Sequence, residues 1–152
     1  MKPELEFVFE VQGKLGQPLI VGETFEGMRR VVPILAGTFN GPHIRGTVVP
    51  DGAADWQYNR HDNVTQAEAT YALRTHDGVV IQVQNFGLRH GPEAVMQRLA
   101  AGAAVDPDEY YFRANPRFKA PAGPYDWLNK SIFVCSGARF PDAIQLWFYR
   151  VT

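Results

Sequence analysis

Two alternating stretches meet at His76-Asp77-Gly78, and they constrain the fold more than any other part of the chain. Ala67, Ala69, Tyr71 and Leu73 share one face of the first, with Glu68, Thr70 and Arg74 opposite. Val79, Ile81, Val83 and Asn85 share one face of the second, with Gln82 and Gln84 opposite. A period of two marks a half-buried strand, so the pair reads as an antiparallel hairpin. A two-residue Asp-Gly turn sets Tyr71 opposite Gln84 and mixes the faces. A three-residue loop, with Gly78 left-handed, sets Leu73 opposite Ile81 and Tyr71 opposite Val83. Only the second keeps both apolar stripes on one side, because a slip of one residue turns a stripe to solvent. Asn85 then lies diagonal to Tyr71 on the inward face.

The rest of the chain repeats this pattern. Leu5, Phe7, Phe9 and Val11 alternate with Glu6, Val8, Glu10 and Gln12 as a strand, followed by a turn over residues 13–18. Further strands are expected over residues 19–21, 27–35, 44–49, 56–58, 131–137 and 143–151, with a break at Pro50-Asp51-Gly52 and a turn at His61-Asp62-Asn63. One helix is expected. Pro92 suits its first position, Glu93 its positive end, Arg98 its last turn and Gly102 its C-terminal cap, with Val95, Met96 and Leu99 as the apolar face. Residues 110–113 read as extended, and Pro116, Pro121 and Pro124 as punctuating a long loop. Many short strands with close turn signals and one helix argue for an all-β fold. We expect a single antiparallel β-barrel of roughly eight to ten strands with one short helix, because few segments look built as edges. Residues 1–152 read as one domain, long enough to bury roughly 70% of the unfolded surface.

Charge and motifs exclude several classes. Net charge is −1, which gives no field for nucleic acid or an anionic membrane. The one cysteine, Cys135, lies in an apolar run and reads as a buried inert thiol. No signal-peptide core and no apolar run of transmembrane length is present, so a cytoplasmic location is expected. There is no dinucleotide fingerprint, phosphate loop, zinc-type histidine pair or nucleophile elbow. His43, His61, His76 and His90 share no metal-ligand spacing, so neither metal nor cofactor is expected.

The candidate chemistry is carried by a few polar residues. The stretch from Gly37 to Trp56 packs four glycines, two prolines, Arg45 and an Asp55-Trp56 pair around a short β-like run. Asp55 is either a turn or cap residue or a carboxylate in a partly apolar pocket, where desolvation raises its pKa toward neutrality. Tyr71 and Asn85 are polar groups on an apolar inward face. They either satisfy each other or aim at a ligand carbonyl. Arg45 is either a surface cation or a charge added to that site. Trp56, Phe39 and Trp127 are expected to wall a ligand. His90, near the helix start, is a loop histidine or a further substrate contact. Arg113, Arg117 and Lys119 interleave with aromatics but adjoin Asp106, Asp108 and Glu109, so a solvated strand is expected there. Trp147 and Tyr149 lie opposite Leu146 and Phe148, so the last strand needs cover from the helix, a loop or, in a homo-oligomer, a second subunit.

Taken together, several motifs resemble domain-of-unknown-function family 3237. They are Gly37-Thr38-Phe39-Asn40-Gly41-Pro42 with Arg45-Gly46, Gly52-Ala53-Ala54-Asp55-Trp56, and Tyr71-Ala72-Leu73-Arg74-Thr75-His76-Asp77-Gly78. Gln84-Asn85-Phe86-Gly87, Tyr111-Phe112-Arg113-Ala114-Asn115-Pro116-Arg117-Phe118 and Trp127-Leu128-Asn129 complete the set, which spans nearly the whole chain. The resemblance implies an antiparallel β-barrel and no general function. Thr70 departs from it, standing where an arginine often precedes the tyrosine.

The function expected from these residues is proton transfer at carbon, without a cofactor, on a hydrophobic aromatic or polyketide-like carbonyl or phenolic compound. Isomerisation, cyclisation, dehydration and retro-aldol-type cleavage all fit. Asp55 moves the proton, while Tyr71, Asn85 and Arg45 hold the oxygen that gains charge. The alternative is a lipocalin-like binding protein with the same pocket and no chemistry.

Overall fold

The computed structural model describes all 152 residues. Its strands are β1 (Leu5–Leu15), β2 (Leu19–Thr24), β3 (Gly27–Asn40), β4 (Arg45–Asn59), β5 (Thr65–Thr75), β6 (Val80–His90), β7 (Tyr111–Lys119), β8 (Ile132–Arg139) and β9 (Ala143–Val151). A helix, α1 (Glu93–Ala100), lies between β6 and β7, and a short 3₁₀ turn, Asp126–Lys130, precedes β8. All neighbours pair antiparallel, and β1 pairs with both β9 and β3, which closes eight strands into a barrel. β2 stays outside the ring, along the first half of β3.

The β5–β6 hairpin has the register its stripes require. Leu73 pairs with Ile81 and Tyr71 with Val83. The Thr75 amide donates to the Val79 carbonyl at 2.9 Å, and Gly78 has φ 88°, so the loop is His76-Asp77-Gly78. Around α1, Pro92 precedes the first turn and Gly102 takes φ 81° just after the last.

Strand direction sorts the connections to two ends. The β3–β4 and β5–β6 turns and the Asp126–Lys130 segment gather at one end. Five phenylalanines fill it. Phe9 stacks on Phe148 at 4.5 Å between centroids, meets Phe39 edge-on at 5.6 Å, and Phe118 meets Phe133 at 4.9 Å. Each such pair adds about 0.5–1.5 kcal/mol beyond burial. This end is closed. The other end carries the β1–β2 and β4–β5 turns, α1 and the β8–β9 turn, and it is open.

Several elements run further than the sequence suggested. β1 continues through Gly13 to Leu15, and β3 continues through the glycine-rich stretch to Asn40. β4 does not stop at Pro50-Asp51-Gly52. It bulges there, with Gly52 at φ 71°, and resumes its pairing with β5 at Ala54. The glycines nearby permit close strand approach at the closed end. A Cβ on Gly41 or Gly46 would stand 1.9 Å from the carbonyl oxygen of Val8 or Arg74. Pro116 lies inside β7, not in a loop. Its missing N–H disrupts no pairing with β8, because that ladder holds only Arg113 and Ala114, and the Asn115 side chain donates through Nδ2 to the Phe133 carbonyl at 2.9 Å instead. On β9, Trp147 and Tyr149 are half-buried, and Phe7 of β1 meets Tyr149 edge-on at 5.9 Å. No helix is long and apolar enough to cross a membrane.

Candidate active site

Side chains alternate across a strand, so the barrel interior reads in rows. One row runs Val32, Asp55, Ala69, Asn85, Pro116. The next, toward the open end, runs Arg30, Gln57, Ala67, Gly87, Ala114. A third carries Asn59, Thr65, Arg89 and Phe112. Tyr71 sits on the closed-end side of the first row, diagonal to both Asp55 and Asn85. The wall between these polar groups is made of alanine and glycine, which occupy little of the interior. Asp55, Tyr71 and Asn85 therefore share one region.

Their hydrogen bonds are incomplete. Arg30 Nε donates to Gln57 Oε1 at 2.8 Å, and Gln57 Nε2 donates to Asp55 Oδ2 at 2.7 Å. Asp55 Oδ1, the Tyr71 hydroxyl, Asn85 Oδ1 and Arg89 Nε are buried without a protein partner. One other side-chain atom in the chain shares that condition, Arg29 Nη1, so the unmet bonds concentrate on this inner face. A buried polar atom left unpaired costs about 1–3 kcal/mol, and proteins that keep several together hold them for a ligand or water.

Burial also sets the charge states. It raises the Asp55 carboxyl above its ordinary value, although Gln57 and the guanidinium groups of Arg89, Arg139 and Arg30 oppose it. It pushes the Tyr71 hydroxyl well above its usual range, so that group keeps its proton. The Cys135 thiol, against the Asn85 amide, is pushed up to about 12 by burial. Arg89 is lowered to about 10 by burial and by the neighbouring cations Arg139 and Arg30.

A cavity of about 900 Å³ opens above these rows at the barrel mouth. Arg30, Arg89 and Arg139 line it from the barrel, Asn59, Arg60 and residues 62–65 from the β4–β5 turn, and Met96 and Leu99 from α1. Asp55, Tyr71 and Asn85 are not in its wall. They lie deeper, and Gln57 links the Asp55 carboxylate to Arg30 in the lining.

Other residues singled out in the sequence are scattered. Arg45 is exposed at the closed end, where its carbonyl accepts the His76 amide, so it cannot serve a site at the mouth. Trp56 points out of the barrel, because neighbours on a strand face opposite ways, and Arg29 stacks over its ring at 4.9 Å. Phe39 belongs to the phenylalanine plug. Trp127 lies over the closed end, 6.2 Å from Phe133. His90 stacks on Tyr111 at 4.9 Å and lines the rim of the cavity. Thr70 is on the outer face, so its departure from the family pattern leaves the interior unchanged. No three His, Cys, Asp or Glu side chains gather as a metal site.

The positive charge comes from Arg30, Arg89 and Arg139, which the sequence reading did not select. Parity could have found two of them. Arg89 continues the inward series 81, 83, 85, 87, and Arg139 continues 133, 135, 137.

The profile of the family described as "Protein of unknown function (DUF3237)" matches residues 3–151. A UPF0311 protein of Rhodopseudomonas palustris strain TIE-1 is 40% identical, over 99% of each chain. The crystal structure of a conserved protein of unknown function from Rhodopseudomonas palustris has a TM-score of 0.96 and 38% identity, covering 100% of this chain and 99% of that one. A structure described as an enzyme from Penicillium herquei shares the fold at a TM-score of 0.74 and 19% identity, covering 100% of this chain and 96% of that one.

Proposed function

This chain belongs to the DUF3237 family, and from its barrel interior we propose an enzyme that transfers a proton at carbon on a small carbonyl or phenolic compound, using its own side chains. One observation carries the reading: Asp55 Oδ1, the Tyr71 hydroxyl and Asn85 Oδ1 are buried, unpartnered and gathered on adjoining rows.

The roles follow from the charge states. A carboxylate whose pKa is raised by burial is a stronger base, and Asp55 has one oxygen held by Gln57 and one free. The free oxygen takes a proton from the carbon beside the carbonyl. Negative charge then builds on the carbonyl oxygen. Tyr71, still protonated, donates to that oxygen, and Asn85 holds it when its amide nitrogen faces inward. Asp55 returns the proton to a different carbon, which completes an isomerisation, or the enolate carbon attacks a second carbonyl carbon of the same compound, whose C=O π bond opens onto an oxygen that takes the proton back from Asp55, which completes an aldol-type cyclisation. Arg89 supports the same charge from the mouth side.

The test uses 2-tetralone, an aromatic ketone with acidic α-hydrogens, in D₂O. The protein is expected to speed deuterium exchange at the α-carbon, read by NMR, and Asp55→Asn to remove at least a hundredfold of that acceleration. Binding of the ketone with exchange only at the buffer rate would favour the non-catalytic carrier instead.

A further inference from the structure

We infer that Arg89, Arg139 and Arg30 form a carboxylate-binding subsite at the barrel mouth, so that the compound processed below them is an organic acid. The inference rests on the proton-transfer reading for what lies beneath, but the subsite stands on its own geometry.

The three arginines line one cavity of about 900 Å³. None of them forms a salt bridge. Arg30 spends its Nε on Gln57, and Arg139 Nη1 reaches the Ala143 carbonyl at 3.4 Å. Arg89 is the most constrained. It is 7% exposed, its guanidinium lies 5.5 Å from the Phe112 ring, and its Nε has no partner. A buried guanidinium without an anion is costly, and three cations near one another add repulsion.

The local acids leave this charge unbalanced. Asp62 in the lining pairs with Arg60, and Glu93, which accepts the Gln97 amide on α1 and keeps its charge, is one lining carboxylate against three guanidinium groups. Asp142 faces Arg139 from the β8–β9 turn without a direct ion pair. Asp55, one row below, answers three arginines with a single carboxyl that burial disfavours as an anion. An incoming carboxylate supplies the missing negative charge. Its two oxygens match the planar fork of an arginine, which presents two parallel N–H groups. Met96 and Leu99 of α1 supply an apolar wall beside the cations, suited to the carbon body of an aromatic or alicyclic acid.

The probes are 2-naphthoate and 2-naphthamide, which share a ring system and differ in charge, measured by calorimetric titration. The carboxylate is expected to bind at least tenfold more tightly than the amide, with affinity falling as salt rises. Arg139→Gln, at the half-exposed member, is expected to lower naphthoate affinity at least tenfold and leave naphthamide unchanged. Arg98→Gln removes the same charge from a surface pair with Glu109 outside the cavity, and is expected to change neither by more than twofold. Circular dichroism verifies that each variant is folded. Equal affinity for the two probes overturns the subsite, as does no binding of either at millimolar concentration. Tenfold tighter binding of 2-naphthyl phosphate than of naphthoate overturns its assignment to a carboxylate. Failure of ketone exchange with the carboxylate preference intact would remove the catalytic reading alone.

Discussion

Replacing Asp55 with asparagine is expected to make the protein more stable near neutral pH and less active. The carboxyl is buried, Gln57 holds Oδ2, and Oδ1 has no partner. Two effects compete. Burial disfavours the charge, while Gln57 and three arginines favour it, yet the pKa is raised, so burial outweighs their sum. Asparagine keeps the shape, leaves its oxygen to accept from Gln57 and turns its amide nitrogen toward the empty side. Removing one unsatisfied buried charge is worth about 1–3 kcal/mol. For a chain of this length that is a rise of about 2–12 °C in melting temperature. The sign with pH is fixed. A carboxyl with a raised native pKa binds more protons folded than unfolded, so wild-type stability falls as pH climbs from 3.8 through the raised value, then levels. The variant lacks that fall. Calorimetric melts of both proteins between pH 4 and 8 measure it, and the same samples are expected to lose about 10²–10⁴-fold in proton-transfer rate. A variant less stable than wild type at pH 7 would refute the reasoning, since Asp55 would then be a counter-ion for the arginines.

Tyr71→Phe removes a hydroxyl that has no partner. Its urea midpoint is expected to stay level or rise, while α-exchange slows by at least tenfold. Phe148→Ala empties the centre of the closed end, where Phe9 stacks at 4.5 Å, and is expected to cost about 3–5 kcal/mol in urea unfolding. Cys135, pushed up to about 12 by burial, is expected to resist iodoacetamide at pH 8 in the folded protein and to react once guanidinium unfolds it.

Parity along strands made much of this molecule legible before any coordinates. The stripes at residues 67–73 and 79–85 determined the β5–β6 register, and with it the diagonal of Tyr71 and Asn85. The same rule, applied to Asp55 and Trp56, would have sent them to opposite faces. Adjacent residues on a strand point to opposite sides, so neighbours in sequence are not neighbours in a site. Arg45 lies away from Asp55 for a different reason: which end of a barrel a turn occupies depends on how the strands close, and no local pattern encodes that. Pro116 read as a loop because its cost depends on whether a partner strand needs its N–H, and β8 pairs with β7 only before that point. Two of the mouth arginines, Arg89 and Arg139, were visible by parity but are each single charges in sequence. Only the closed sheet gathers them with Arg30.

The phenylalanine plug and the arginine mouth sit at opposite ends of one closed sheet, which lets them diverge independently. Four separate connections frame the entrance, and none of them carries the aromatic cluster. Loop grafts at the entrance can therefore be exchanged on a scaffold whose cohesion is anchored elsewhere.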